Sequence, residues 1–469
     1  MASTAIEATI HLLISRVWRL LTAAAVFSLI AVRPAQSAVR LPNLAIHTLH
    51  LSNGLQAVMV EQHSAPVVTV EVWYHVGSKN ESPGKTGFAH LFEHLMFDGT
   101  KTPNSHFSDY IVRSGGIDNA YTTDDATVFW ETIPSSSLET VLRLEADRMR
   151  NLDITHSVFE NEREVVKEER RQRFDNPPYG TVIESVYQYA FTVHPYRHMP
   201  IGSMKDLDRA RVKDVQNFYD TYYVPDDATV VITGDFGTTQ AEAMLKQYFG
   251  PIPAGSHAAP QSIPAEPPQT AERTVKLTMD VALPAFVETF HIPADGTPDS
   301  YPLRLASKIL SAGESGLVYH KLVYDKQVAL QAESEADFSE NPNLFFVFAV
   351  MNTGYAPAEG ETAVAAVLDR LKSQPFSAQE LEKAKNQALN DLVQSRETSK
   401  NLAEALGYDA VILKNADLMN TEAQKFMAVT AEQVQAAAQK YFAPENMTLL
   451  EVYPQSTDHS KTSAQAGSH

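Results

Sequence analysis

Short apolar and alternating runs open each half of the chain and predict β-strands. They cover residues 56–62 and 67–76 in the first half and residues 275–281 and 285–291 in the second. Longer stretches with helical periodicity follow each pair of runs. Strands followed by long helices in each half predict an α+β fold. We expect two homologous α/β-sandwich domains, each with a mainly antiparallel sheet packed against helices.

The two halves also resemble each other in sequence. Residues 215–233 read VQNFYDTYYVPDDATVVIT, and residues 434–452 read VQAAAQKYFAPENMTLLEV. Each stretch predicts a helix, a turn with proline and acidic residues, and then a β-branched strand. Earlier in each half, Phe159 and Leu381 begin two matching charged helices. We interpret the match as a duplicated domain, and a chance similarity is the alternative.

A proline-rich stretch separates the two halves. Residues 251–270 combine six prolines with alanine, serine and glutamine, which is a composition typical of linkers. We therefore predict one domain over residues 40–250 and a homologous domain over residues 271–455. The polar tail, residues 456–469, is predicted to be disordered.

The amino-terminal segment has the layout of a secretory signal. Arg16 and Arg19 precede an apolar run over residues 20–32, and small residues follow at 35–37. The run is shorter than the ~20 residues that span a bilayer. We predict a signal peptide over residues 1–37 and a mature protein that is periplasmic or secreted and free of the membrane. An uncleaved anchor and a start site further along the chain are the alternatives.

The composition narrows the class of function. The 469 residues are 44% hydrophobic and 20% charged, which is a composition typical of globular proteins. The formal net charge of -19 predicts a strongly acidic surface. Such a surface argues against nucleic acid or an anionic membrane as the main partner and leaves peptides open. The chain has no cysteine, so it has neither disulfides nor thiolate ligands. Any metal must be bound by histidine or carboxylate.

The candidate chemistry lies in residues 87–98, which read GFAHLFEHLMFD. On a helix, His90 and His94 are one turn apart and project from the same face, where two imidazoles can bind one zinc ion. Glu93 lies on the same side, within reach of a water at such a metal. The other side chains are almost all apolar, so three unpaired ionisable groups would be costly here. Two hydrogen-bonded core histidines and an ion-paired glutamate are the alternative.

A catalytic zinc site needs a third protein ligand from another element. Residues 157–173 read SVFENEREVVKEERRQR and offer several carboxylates on a predicted helix. The predicted apolar face consists of Val158, Phe159, Val165 and Val166. At about 100° per residue, Glu162 and Glu169 fall inside that face. We predict Glu169 as the third ligand and Glu162 as its supporting residue, which hydrogen-bonds a ligand or the zinc water. A helix that tolerates glutamate at the edge of its apolar face is the alternative.

The order of the metal motif, HxxEH, is the inverzincin arrangement. With a glutamate 75 positions after the second histidine, the chain resembles the pitrilysin/insulysin family of zinc peptidases, in the bacterial periplasmic type of its mitochondrial-processing-peptidase-like branch. The resemblance covers residues 45–455. It depends on blocks at residues 51–55, 87–99, 115–122 and 162–169.

The resemblance implies a role for each candidate residue. His90, His94 and Glu169 would bind one Zn²⁺ ion, with Glu93 as the general base of peptide hydrolysis and Glu162 as the supporting glutamate. The first domain would then be the catalytic one. Cobalt or manganese could replace zinc in vitro.

A second block implies how substrate binds. Residues 119–122 read NAYT and precede an alternating stretch, TVFWE, at residues 127–131. The block resembles the family's edge strand, which pairs with an extended peptide substrate through main-chain hydrogen bonds. Asn119 and Ala120 are the implied substrate contacts. An ordinary hairpin and strand are the alternative.

One departure from the family concerns the half without metal ligands. Members that act within one chain carry there an arginine and, seven positions later, a tyrosine. The matching stretch, residues 322–330, reads LVYDKQVAL and places Val323 and Leu330 at those positions. We therefore predict a heterodimer in which a homologous subunit supplies the Arg/Tyr pair. A misalignment by one turn, a self-sufficient homodimer and a non-catalytic scaffold are the alternatives.

Overall fold

Two sheets organise the part of the chain that the computed structural model describes, and they share one strand order apart from an extra edge strand in the first. That part comprises residues 41–102, 107–255, 262–311, 313–374 and 376–455. The predicted signal peptide and the predicted disordered tail lie outside these residues. So does the middle of the proline-rich linker.

The first sheet has the order β1-β2-β6-β3-β5-β4. Its strands are β1 His47–His50, β2 Gln56–Glu61, β3 Val67–Tyr74, β4 Ile117–Thr122, β5 Thr127–Pro134 and β6 Ala228–Gly234. The second sheet has the order β7-β11-β8-β10-β9. Its strands are β7 Arg273–Met279, β8 Ala285–Ile292, β9 Ala329–Ala336, β10 Asn343–Met351 and β11 Met447–Pro454.

The pairing repeats from one sheet to the other. In each, the last strand in sequence lies in the interior, parallel to one neighbour (β2 or β7) and antiparallel to the other (β3 or β8). The remaining pairs are antiparallel, so the predicted sheet type and the predicted duplication of the fold are both confirmed. A one-turn 3₁₀ helix precedes each last strand, at Pro225–Asp227 and at Pro444–Asn446, where the sequence predicts the two proline turns.

Helices cover both sheets. Those of the first half are α1 Phe88–Asp98, α2 Phe107–Arg113, α3 Leu138–Asn151, α4 His156–Arg170, α5 Val182–Ala190, α6 Met204–Arg209, α7 Val212–Tyr222 and α8 Thr238–Tyr248. Those of the second half are α9 Ser300–Ser311, α10 Leu317–Tyr319, α11 Pro357–Ser373, α12 Ala378–Gln394, α13 Ser399–Val411, α14 Leu418–Ala428 and α15 Ala431–Tyr441. π-Helical turns follow α4 and α10, at Arg171–Asp175 and His320–Asp325.

The two halves exchange helices. Helix α13 of the second half packs on β3 and β6 of the first sheet, where Leu402 and Leu406 join one apolar cluster with Val58 and Val231. Helix α5 of the first half packs in the same way on β8 and β11 of the second sheet. Each sheet therefore has one face covered by its own half and the other covered by a helix from the opposite half. Among the described residues, no helix is both long and apolar enough to cross a bilayer.

Candidate metal centre

Glu81 determines where helix α1 begins. Its buried carboxylate accepts hydrogen bonds from the backbone N–H groups of Gly87 and Ala89, both at 2.9 Å, and pairs with His198 Nε2 at 2.9 Å. Gly87 has a φ of 92°, and a Cβ there would lie 2.9 Å from the Ile201 carbonyl oxygen. The carboxylate satisfies N–H groups that the first turn of a helix leaves without partners. The start of α1 is thus held by a charged cap and a close backbone approach.

The apolar side of α1 is buried in the core of the first half. Phe92 lies beside Tyr223, with ring centroids 4.8 Å apart, and Leu91, Leu95 and Met96 are also buried. This packing leaves one polar stripe on the helix, which carries the two histidines. Packing of the apolar residues therefore sets the direction in which His90 and His94 project.

The structure brings His90, His94 and Glu169 together. Glu169 Oε2 lies 3.6 Å from His90 Nε2 and 3.2 Å from His94 Nε2. One ligand atom from each of the three residues lies within 4.8 Å of the others. Two ligands bound tetrahedrally to zinc at ~2.1 Å are about 3.4 Å apart. The three donors therefore fit a zinc ion in both chemistry and spacing.

Glu93 lies at the edge of this cluster, on the side of strand β4. Its Oε2 is 3.9 Å from His90 Nε2, and it accepts a hydrogen bond from the Thr122 hydroxyl at 2.7 Å. Burial raises the pKa of Glu93, although the Thr122 hydrogen bond and nearby His94 oppose that shift. A carboxylate with a raised pKa takes up and releases a proton closer to neutrality than an ordinary glutamate does.

Glu162 lies behind His94. Its Oε2 is 3.5 Å from His94 Nδ1, the ring nitrogen that faces away from Glu169. Burial lowers the pKa of His94, but the carboxylates of Glu162 and Glu169 outweigh it and raise that pKa to about 9. Burial and the neighbouring His94 lower the pKa of His90 to about 4. Metal binding requires neutral imidazoles, and burial favours that form of His90.

The sequence did not single out Thr122 or Arg173. The Arg173 guanidinium binds Glu169 Oε1 at 2.6 Å and so leaves Oε2 to face the histidines. The sequence feature that could have identified Arg173 is its i, i+4 spacing from Glu169. Its position beside Glu169 also depends on the π-helical turn that follows α4. The signal for Thr122 was its place at the end of the NAYT block.

One detail of the predicted helix face was wrong. Val165 is 43% exposed, whereas Phe159, Val166 and Arg170 are buried. The buried arc of α4 is centred on those three residues, about 100° away from Val165. Glu162 and Glu169 lie at the border of that arc rather than in its middle. This position lets their carboxylates reach the histidines of α1 without full burial.

Asn119 and Ala120 lie on β4, which pairs with β5 and forms one edge of the first sheet. Asn119 is exposed and its side-chain oxygen accepts a hydrogen bond from the Ala120 N–H at 2.9 Å. In the second half, Val323 lies in the π-helical turn after α10, and Leu330 lies exposed on β9, the matching edge strand.

Comparisons with known proteins agree with this architecture. The protein-family model described as "Insulinase (Peptidase family M16)" matches residues 56–200, and the family model described as "Peptidase M16 inactive domain" matches residues 209–388. The zinc protease PqqE of Helicobacter pylori is 31% identical over 408 residues, which cover 86% of this chain and 92% of that protein.

Two further relatives extend the comparison. The crystal structure of a protease from Helicobacter pylori has a TM-score of 0.84 at 30% identity and covers 88% of this chain and 100% of that one. A probable mitochondrial-processing peptidase subunit beta of Arabidopsis thaliana is 24% identical over 419 residues, covering 86% of this chain and 77% of that protein. Both family models match this chain, and the zinc protease PqqE is matched over 92% of its length. The chain therefore belongs to peptidase family M16, a family of zinc proteases.

Proposed function

We propose that this chain is a zinc metalloendopeptidase that cleaves extended or unstructured peptides. The observation that carries the proposal is the convergence of His90, His94 and Glu169, with the carboxylate of Glu93 beside them. A zinc ion bound by those three residues would supply Lewis-acid activation of water and of the peptide carbonyl.

The chain's own residues supply the remaining steps. Glu93 takes the proton of the attacking water and returns it to the leaving amine. Thr122 keeps the carboxylate of Glu93 in place through its 2.7 Å hydrogen bond, and Arg173 orients Glu169. Glu162 holds the ring of His94 from the other side.

The substrate would lie along strand β4. This strand is at the edge of its sheet and ends at Thr122, beside Glu93, so a peptide paired with it passes the metal centre. Asn119 and Ala120 lie within the pairing segment. Main-chain pairing binds extended chains with little dependence on sequence.

We propose further that the functional form is a heterodimer. Val323 and Leu330 stand where the family carries an arginine and a tyrosine that help to stabilise the oxyanion, so these two positions would not supply that pair. A homologous subunit would supply them. The relative from Arabidopsis thaliana is itself named as a subunit, which supports this arrangement. Export to the periplasm is proposed from the basic and apolar pattern of residues 16–32.

The test is hydrolysis of an unstructured, quenched-fluorescent peptide by the mature protein. We would assay the protein alone and mixed with a homologous subunit that carries the Arg/Tyr pair, with a chelator arm and Glu93→Gln as the inactive variant. Glu164→Gln is the matched control, because Glu164 is exposed on the same helix as Glu169. Chelator-sensitive activity only in the mixture supports the heterodimer. Activity of the chain alone supports the homodimer, and no activity in either arm contradicts the peptidase proposal.

A further inference from the structure

Arg170 is the last residue of helix α4 and directly follows the candidate metal ligand Glu169. Successive residues of a helix project about 100° apart, so the two side chains leave α4 in different directions. Glu169 faces the two histidines of α1, whereas Arg170 reaches helix α5 and the loop before α6. Only 8% of Arg170 is exposed. A buried guanidinium is costly unless partners satisfy it, so its contacts determine how the end of α4 can lie.

The first contact of Arg170 is with helix α5. Its Nη1 and Nη2 donate to the two carboxylate oxygens of Glu184, at 3.2 and 2.8 Å. A pair joined at two points fixes orientation as well as distance. On the opposite side of α5, Val182 and Val186 belong to the apolar cluster on β8 and β11. Arg170 therefore connects the helix of a candidate metal ligand to a helix that packs on the second sheet.

The second contact of Arg170 is with the loop before α6. Its Nη1 also donates to the carbonyl oxygen of Gly202 at 2.6 Å. Gly202 has a φ of 72°, and a Cβ there would lie 2.4 Å from the Cα of Gly87, the residue before α1. The Ser203 N–H donates to the Thr86 hydroxyl oxygen at 3.0 Å. The loop that Arg170 holds therefore lies directly against the start of the helix that carries the two histidines.

The third contact of Arg170 is with the π-helical turn that follows α4. Its Nε lies 3.4 Å from Asp175 Oδ1, at the end of that turn. Within the same turn, Arg173 binds Glu169 Oε1 at 2.6 Å. One guanidinium thus contacts the turn that orients Glu169, the loop at the start of α1, and the helix that packs on the second sheet.

We propose that Arg170 is a positioning residue of the metal centre. It sets the spacing between α1 and α4, and through Glu184 it makes that spacing depend on the packing of α5 against the second sheet. Ligand distances in a zinc site are confined to about 0.2 Å, so a small shift of α4 would weaken metal binding. This role deepens the proposed function and rests on it, because it gives the half without metal ligands a part in controlling the metal centre.

The test compares metal binding by the mature protein and by two variants, Arg170→Lys and Glu184→Gln. Lysine keeps the charge but cannot form the two-point pair, and glutamine keeps the size of Glu184 but not its charge. Competition with a chromophoric chelator measures zinc affinity, and the visible absorption spectrum of the Co²⁺-loaded protein reports the geometry around the metal. We expect each variant to bind zinc about tenfold more weakly and to change the cobalt spectrum.

Arg171→Lys is the matched control. Arg171 is the next residue in the chain, but its side chain is 43% exposed and pairs with Glu168 at 2.9 Å. This control should keep the zinc affinity and the cobalt spectrum of the wild type. The double variant of Arg170→Lys and Glu184→Gln should lose about as much zinc affinity as either single variant, because both changes remove the same connection.

A role in stability alone predicts a different result. Both variants would then unfold at lower urea concentration without metal, but the folded proteins would keep the zinc affinity and the cobalt spectrum of the wild type. That result would overturn the proposal, as would an equal loss of affinity in Arg171→Lys. If Arg170→Lys does not fold, Glu184→Gln decides alone, because the Glu184 side chain is 25% exposed and its substitution disturbs the core less.

The outcome can be separated from that of the peptidase proposal. If the wild type cleaves peptide and both variants bind zinc as tightly as the wild type does, the role of Arg170 is wrong and the peptidase stands. If both variants lose zinc affinity but the wild type cleaves nothing, with or without the Arg/Tyr subunit, the positioning role stands and the peptidase proposal fails.

Discussion

Helices α1 and α4 in the first half hold the same places in the fold as α9 and α12 in the second. Glu169 lies ten residues after Phe159, and Asp391 lies ten residues after Leu381, at the matching point of its helix. In the first half, Glu169 faces two histidines of α1. In the second half, Asp391 instead binds Lys308 of α9 at 2.5 Å. The same pair of helices is thus joined by the candidate metal cluster in one copy and by an ion pair in the other.

This difference shows what the shared fold does and does not specify. Both copies keep the shared order of five strands and the two crossing helices, although among the described residues only the first copy has three side chains grouped so that they could hold a metal. The match of residues 209–388 to a family model for an inactive domain agrees with that division. The proposed chemistry would therefore depend on a few side chains placed on a fold that the second half adopts without them.

The largest expected effect is on catalysis. Glu93→Gln should lower turnover at least ~10³-fold, because the amide cannot accept the proton of the attacking water. Zinc should stay bound, since Glu93 is not one of the three proposed ligands. Peptide hydrolysis and metal analysis on the same sample check both statements, and loss of zinc in this variant would contradict the assigned role.

The second-largest expected effect is on zinc affinity, and it distinguishes Glu169 from Asp391, the residue at the matching position of the second half. Glu169→Gln should weaken zinc binding by ~10²-fold or more, because it removes an anionic ligand. Asp391→Asn should leave zinc affinity unchanged and cost under ~1 kcal/mol of unfolding free energy, since its ion pair is half exposed. Competition with a chromophoric chelator measures the affinities. Equal losses in the two variants would show that the helix pair, not the ligand set, controls metal binding.

The third prediction concerns an ion-pair cluster at the interface between the two halves. Glu340, from the second half, binds His75 at 2.6 Å and also pairs with buried Lys79 of the first. Glu340→Gln should lower the free energy of unfolding by about 2–3 kcal/mol at pH 7, because buried Lys79 loses one of its two carboxylate partners and retains Asp125, at 2.8 Å.

The pH dependence of that loss has a definite sign. Burial favours the neutral acid, but His75 and Lys79 hold the pKa of Glu340 below its ordinary value. The stabilisation is therefore complete above the unfolded-state pKa of ~4.3 and decreases as the pH falls below it. Urea unfolding of metal-free wild type and variant should show their difference shrinking from pH 7 to pH 3. A constant difference would contradict the ion-pair explanation.

The last prediction concerns the packing of helix α13 on the first sheet. A Cβ on Gly407 of α13 would lie 2.2 Å from Trp73 Nε1, so Gly407→Ala must push the helix off the first sheet. We expect a loss of about 2 kcal/mol in unfolding free energy. Gly237→Ala is the control, because a Cβ there meets nothing within 4 Å. Equal denaturation midpoints for the two variants would contradict the close packing of α13.

The sequence was sufficient to predict the features that depend on local pattern. The strands at the start of each half, the proline turns and helix α1 are visible as periodicity and spacing. The face of α4 was predicted less well, because Val165 is apolar but lies outside the buried arc. The exchange of α5 and α13 could not be predicted, since an apolar helix face does not reveal which sheet it covers. Glu81, Thr122 and Arg173 were missed for the same reason: their roles depend on contacts that only the folded chain makes.

The exchanged helices also govern the order in which the chain can complete its fold. Strand β6 enters the middle of the first sheet only after residue 234 has been added, and α13 covers that sheet's outer face only after residue 411. The first half thus keeps an apolar surface open until most of the second half has been synthesised. A ribosome-bound or partly exported chain would need protection of that surface. Proteolytic cleavage of the linker in the folded protein, by contrast, would leave two fragments that remain bound to each other through the exchanged helices.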